Sequence, residues 1–185
     1  MKYSLFLLLF VPAFAHAQGF EVAVSGGVSR ISDGDLGSGY SLDSGTRIAF
    51  RGTLNPYNHL GFEFGYAYNR THLGQEGFTE KQGMAIHQGM FGAVAYATPT
   101  DARIRPFVAG GVHFANFVPP GQTAQYGQGE NKFGVNYGAG IKVKVSGPWH
   151  VRFDVRQFNT GRPFSLGRGG RLMQTEITGG VGYGW

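Results

Sequence analysis

Residue types capable of chemistry are present in this chain, but few of them are spaced for it. The six histidines are scattered, and none stands at ligand spacing with a carboxylate; cysteine is absent, which removes thiolate metal sites and disulfides. Gly167-Arg168-Gly169-Gly170-Arg171 lacks the Lys-Ser/Thr pair and following helix of a phosphate-binding loop. No metal, cofactor or catalytic residue is therefore expected. Two groupings remain. Arg162, Arg168 and Arg171 bring three guanidiniums with no acid among them, and guanidinium pairs phosphate in a bidentate fork, so the loop from Gly161 to Arg171 is expected either to contact phosphate groups or simply to be solvated. The second grouping is larger: Glu21, Glu63, Asp154 and Glu176, with Arg47, Arg51, Arg105, Lys142, Lys144, Arg152 and Arg156. Its meaning depends on the elements that position it.

Those elements are strands. From Leu60 to Asn69, Leu60, Phe62, Phe64, Tyr66 and Tyr68 alternate with Gly61, Glu63, Gly65, Ala67 and Asn69, a period of two with one apolar side. Trp149–Phe158, Phe133–Val145 and the closing segment that holds Ile177, Val181, Tyr183 and Trp185 repeat it. Weaker alternation covers Phe20–Arg30, Gly45–Leu54, Gly83–Ala97 and Ile104–Phe117, for eight segments in all. Lys2, the apolar run from Leu5 to Val11 and Ala15-His16-Ala17 read as a secretory signal peptide over residues 1–17, which leaves one domain over 18–185. No later apolar run is long enough for a membrane helix. Charged residues are only 15 %, against about 25 % in ordinary domains. The net charge of +5 forms no continuous basic stripe, so nucleic acid is not an expected partner.

Connections alternate in length. Asn55–Asn58, Thr98–Asp101 and Ser146–Pro148 are tight turns, whereas Ile31–Ser44, Thr71–Gln82, Val118–Lys132 and Asn159–Leu172 are long and polar. Short turns at one end and long loops at the other describe an all-β, eight-stranded antiparallel up-and-down transmembrane barrel, turns in the periplasm and loops outside. Energetics set its faces. Pointing Arg152 and Arg156 into lipid would cost about 2–4 kcal/mol each near the midplane, so apolar faces look outward and charges inward. Eight strands enclose room for side chains only, so the inward charges are expected to form a lattice that plugs the lumen. A hairpin centred on Asn55–Asn58 would set Arg51 opposite Glu63. His87, His113 and His150 are expected inside. Tyr57, Tyr96, Trp149 and Trp185 should ring the turn end, and Tyr66, Tyr68, Phe133 and Tyr137 the loop end.

The Gly-rich segment Lys132–Lys142, followed by Val151-Arg152-Phe153-Asp154-Val155-Arg156, resembles the last third of small outer-membrane barrels of the OmpA, OmpX and OmpW type. Val181-x-Tyr183-x-Trp185 looks like the C-terminal signal read by the barrel-insertion machinery, with Trp where Phe is commoner. The resemblance implies a monomeric bacterial outer-membrane protein whose partners are lipid, lipopolysaccharide and that machinery. Its role would be structural or surface-interactive, with a narrow channel or transporter for small or apolar molecules as the alternative. Two eight-stranded families act on lipid A, which makes an envelope enzyme a second alternative. Here the nearest motif, His113-Phe114-Ala115-Asn116, has alanine where a serine nucleophile is required.

Overall fold

The computed structural model describes residues 19–122 and 128–184. Among them are ten strands: β1 (Phe20–Ile31), β2 (Asp35–Gly37), β3 (Tyr40–Leu42), β4 (Gly45–Leu54), β5 (Leu60–Gln75), β6 (Gln82–Tyr96), β7 (Ile104–Val118), β8 (Glu130–Ser146), β9 (Trp149–Gly161) and β10 (Arg171–Gly184). Eight of them, β1 and β4 to β10, pair antiparallel with their neighbours. Pairing of β1 with β10, and of β5 with β6, closes the sheet into a barrel and removes its free edges. Val24, Ile48, Phe50, Phe91, Val108, Val112, Phe133, Phe153 and Val181 stand exposed on the outer wall, and the inward parity carries the buried polar side chains. A soluble fold would invert this arrangement.

Several strands outrun their expected ends. β5 has 16 residues and β8 has 17, more than the about 9–11 that cross a bilayer, so their loop ends project beyond the apolar belt. The expected loop Ile31–Ser44 contains the β2–β3 hairpin, and β3 pairs with the end of β5 through Tyr40↔Gln75 and Leu42↔Leu73. That hairpin takes the place in the wall that β4 leaves by starting only at Gly45.

The first hairpin turn also differs from expectation. Leu54 pairs with Phe62 and Thr53 with Glu63, which sets Arg51 opposite Gly65 rather than Glu63. Asn55 is held to β1, its N–H bonding the Gly19 carbonyl at 2.8 Å and its side chain reaching Glu21 at 2.9 Å. The chain therefore reverses one residue later than the Asn-Pro signal indicates.

Candidate functional site

The interior is a stack of side chains, and cross-strand pairing explains how a narrow barrel holds so many long ones. Arg51 faces Gly65, Glu63 faces Gly92, Arg156 faces Gly138, Asp154 faces Gly140, Arg152 faces Gly180 and Arg47 faces Gly27. Each large inward group stands beside a residue with no side chain, which gives its head room to cross the lumen.

At the turn end, Glu21 pairs with Lys142 and lies 3.6 Å from Arg105 and 3.9 Å from His150. Arg105, Lys142 and Arg152 stand in one row across β7, β8 and β9, a placement of like charges that would repel. Glu21, arriving from the facing wall, bridges the first two. The Arg105 guanidinium also lies 3.7 Å over the Tyr96 ring, and Lys142 donates to the Tyr96 hydroxyl at 2.7 Å.

One level up, Arg152 donates to Glu63 at 2.6 Å and to Asp154 at 2.8 Å, while Arg51 donates to Asp154 at 2.6 Å. Arg156 Nη2 approaches Glu63 Oε1 to 2.9 Å, a close ion pair without hydrogen-bond alignment. Arg51 itself is 3.9 Å from Glu63, its diagonal rather than its direct neighbour. Above this, Arg47 pairs with Glu176 and donates to Gln88 at 2.6 Å; Gln88 donates to Gln174 at 3.1 Å, and Gln174 to Ser29 at 2.7 Å. His113 meets Thr160 at 2.8 Å, edge-on to Phe158. Among the described residues, the inward cations Arg47, Arg51, Arg105, Lys142, Arg152 and Arg156 face four carboxylates, Glu21, Glu63, Asp154 and Glu176. The aromatic faces help to hold that excess, for Arg152 lies over Phe107 at 4.5 Å and Arg47 over Phe158 at 5.2 Å.

The loop end is packed differently. Leu36 and Leu42 of the β2–β3 region fold over Met84, Ile86, Phe117 and Leu172, all buried, with Phe164 and Leu166 packed on the same cluster. Arg162 is buried, pairs with Asp33 and donates to the Asp35 carbonyl; Arg168 pairs with Asp35. Ser38 adds a 2.7 Å bond to the Leu166 carbonyl. These contacts clamp the β2–β3 hairpin to the β9–β10 loop over an apolar lid. The Gly37 N–H and then Arg168 hold the Asp35 carboxyl below its ordinary value of 3.8. A lowered carboxyl pKa supports the folded loop above that ordinary value and loses its effect as pH falls through the lower folded one. Spin labels at Ser41 and Gly169 should therefore keep one separation from neutral pH to about pH 5 and move apart only in stronger acid. Separation already at pH 5 would assign the clamp to other contacts.

Of the expected interior charges, Lys144 is misplaced: it is exposed at the turn end, donating to the Thr100 carbonyl at 3.0 Å beside the irregular pairing that ends β8. Tyr96, expected in the outer girdle, points into the lumen. His87, expected inside, is outward, bonded to the Tyr66 hydroxyl and edge-on to Tyr68. The Gly- and Ala-rich alternation of β6 sets no parity by composition, and register reverses both assignments. His113 and His150 do face inward. Arg162 and Arg168, expected free for phosphate, are paired with Asp33 and Asp35, while Arg171 remains exposed at the start of β10. Tyr183 lies on the outer wall against Trp149, and Trp185 and the 1–17 segment fall outside the described residues. The sequence reading missed Asn69 and Gln174 as network members, which the inward parity of β5 and β10 already carries, and Gln88 and Tyr96, which the composition of β6 does not place.

Residues 4–184 match the family model described as outer membrane protein beta-barrel domain. The chain belongs to the outer-membrane β-barrel family. Its membership implies the bacterial outer membrane, and solved barrels share the fold. Neisserial surface protein A superposes with a TM-score of 0.66 at 14 % identity, over 91 % of this chain and 98 % of that one. OprG from Pseudomonas aeruginosa gives 0.58 at 14 % identity, over 90 % and 96 %. Outer membrane protein W of E. coli gives 0.58 at 20 % identity, over 92 % and 100 %. No curated protein sequence matches the chain.

Proposed function

We propose that this family member is a closed barrel with a structural and surface-interaction role, without catalysis and without an open pore. The observation that supports the reading is side-chain packing across the lumen at two levels by different chemistry. Arg51, Glu63, Arg152, Asp154 and Arg156 span the lumen as one ion-pair lattice, and the apolar lid covers its loop end. The tight turns face the periplasm, and the loops carry recognition outside. The barrel is monomeric, meeting lipid and lipopolysaccharide along its wall. Residues 1–17 direct export, and Tyr183 with Trp185 presents the insertion signal. Catalysis has no support at His113, which is buried against Thr160 and Phe158 with Ala115 in place of a nucleophile. Liposomes holding the purified protein should swell in a small sugar no faster than protein-free ones. Rapid, size-dependent swelling would overturn the reading.

A second reading, a carrier of apolar molecules, draws on one feature. A groove of about 750 Å³ in the outer wall is lined by Phe50, Phe64, Phe91, Phe114 and Phe133, and Gly89 and Gly134 thin the wall there beside His113. Protein-dependent passage of an apolar dye, with sugars still excluded, would favour it.

A further inference from the structure

A cluster of basic side chains stands on the wall of this barrel, apart from its arginine-rich loop. In the β10–β1–β4–β5 part of the sheet, one row runs Ile177, Val28, Thr46, Arg70. The next row toward the loops carries Arg30 on β1 and His72 on β5, but β4 begins at Gly45, so no β4 residue stands between them. Ser44 turns there instead, accepting the Ile31 N–H at 3.2 Å. The result is a notch of about 580 Å³, floored by Val28 and Ile177 and edged by Arg30, Arg70, His72 and Thr46. Neighbouring strands are about 4.8 Å apart, so Arg30 and His72 leave the backbone about 10 Å from each other across it, within reach of one shared anion.

Two observations give the notch a ligand class. Arg30, Arg70 and His72 are all exposed and share the outward parity of Val24, Val28, Ile48 and Tyr66. Among the described residues no ion pair involves Arg30 or Arg70, whereas Asp43, a nearby acid, pairs with Lys81 at 2.6 Å. Arg70 turns its guanidinium over Gly83 of β6, where an added Cβ would come within 2.9 Å of its Nη2, so it meets an anion in the notch by swinging back across β5, a move its exposed position leaves free. Cations directly above an apolar wall match an amphiphile that carries its anion at the same height.

We propose that this notch binds a phosphorylated glycolipid of the lipid A type, Arg30 and Arg70 holding its phosphate beside His72 while an acyl chain lies over Val28 and Ile177. Guanidinium fits phosphate through paired hydrogen bonds, and the apolar floor selects a lipid over a free anion. The assignment rests on the loop end facing outward, yet it does not depend on whether the lumen is closed.

The test is lipid binding to detergent-purified protein, read by native mass spectrometry, with folding checked by heat-modifiable mobility. Bisphosphorylated lipid A should bind about tenfold more tightly than its dephosphorylated form, as expected when charge-assisted phosphate contacts are lost. The triple variant Arg30→Gln/Arg70→Gln/His72→Gln should lose that preference. Arg168→Gln, which alters only the loop clamp, should retain it. Equal binding of both lipids by the unmodified protein would overturn the proposal, as would an undiminished preference in the folded triple variant. Displacement of lipid A by equimolar inorganic phosphate would assign the cluster to a free anion instead.

Discussion

Replacing Glu63 by alanine lowers the stability of the folded barrel by about 3–5 kcal/mol, the cost of stranding buried charge when one partner of an ion pair is removed. Glu63 is 2 % exposed and lies 2.6 Å from Arg152 and 2.9 Å from Arg156. Arg152 keeps Asp154 when the carboxylate goes, but Arg156 loses its only acid within ion-pair distance among the described residues. Glu63→Gln should cost less, since an amide still offers an oxygen to Arg152. Urea unfolding in lipid vesicles, followed by tryptophan fluorescence, measures both. Equal midpoints for the alanine variant and the unmodified protein would show that water already neutralises the lattice.

A valine at Gly140 prevents assembly or severely weakens it, whereas a valine at Gly26 is accepted. A Cβ on Gly140 would stand 2.5 Å from the Phe107 ring and 2.7 Å from the Asp154 Cβ, and would also meet the Phe153 carbonyl. Relief requires Phe107 to move from beneath Arg152 and the β8–β9 backbone to part. Ordinary overpacking costs about 1–3 kcal/mol, and a clash with backbone exceeds that range because it cannot be relieved by a rotamer change. Gly26 faces lipid, its nearest neighbour being the Arg47 carbonyl at 3.7 Å. The fraction of each variant that runs as the compact, heat-modifiable band decides the matter. Normal assembly of Gly140→Val would mean that the interior is looser than this packing implies.

The barrel was legible because one physical rule governs most of its length. Leu60 to Asn69 alternates so cleanly that strand, face and wall follow from spacing, and the cost of charge in lipid turns Arg152, Asp154 and Arg156 inward. Which acid meets which base was not legible. Arg51 and Asp154, or Arg47 and Glu176, are separated by most of the chain and meet only when β1 closes on β10. Counting back from a turn also failed at Arg51 and Glu63, since a side-chain bond from Asn55 delays the reversal. In β6, glycine and alanine occupy both faces, so nothing in composition says that Tyr96 enters the lumen and His87 leaves it. The lid was hidden for another reason: Leu36 and Leu42 are isolated apolar residues in polar sequence, and their common cluster exists only after the β2–β3 hairpin folds over the mouth.

Single-channel recording in planar bilayers decides whether the lumen conducts. The unmodified protein should insert without steady conductance, since the Arg51–Asp154 and Arg152–Glu63 pairs cross the barrel beneath the apolar lid. A persistent open-pore current, unaltered by substitution at Glu63 and Asp154, would mean an open lumen and identify the protein as a channel.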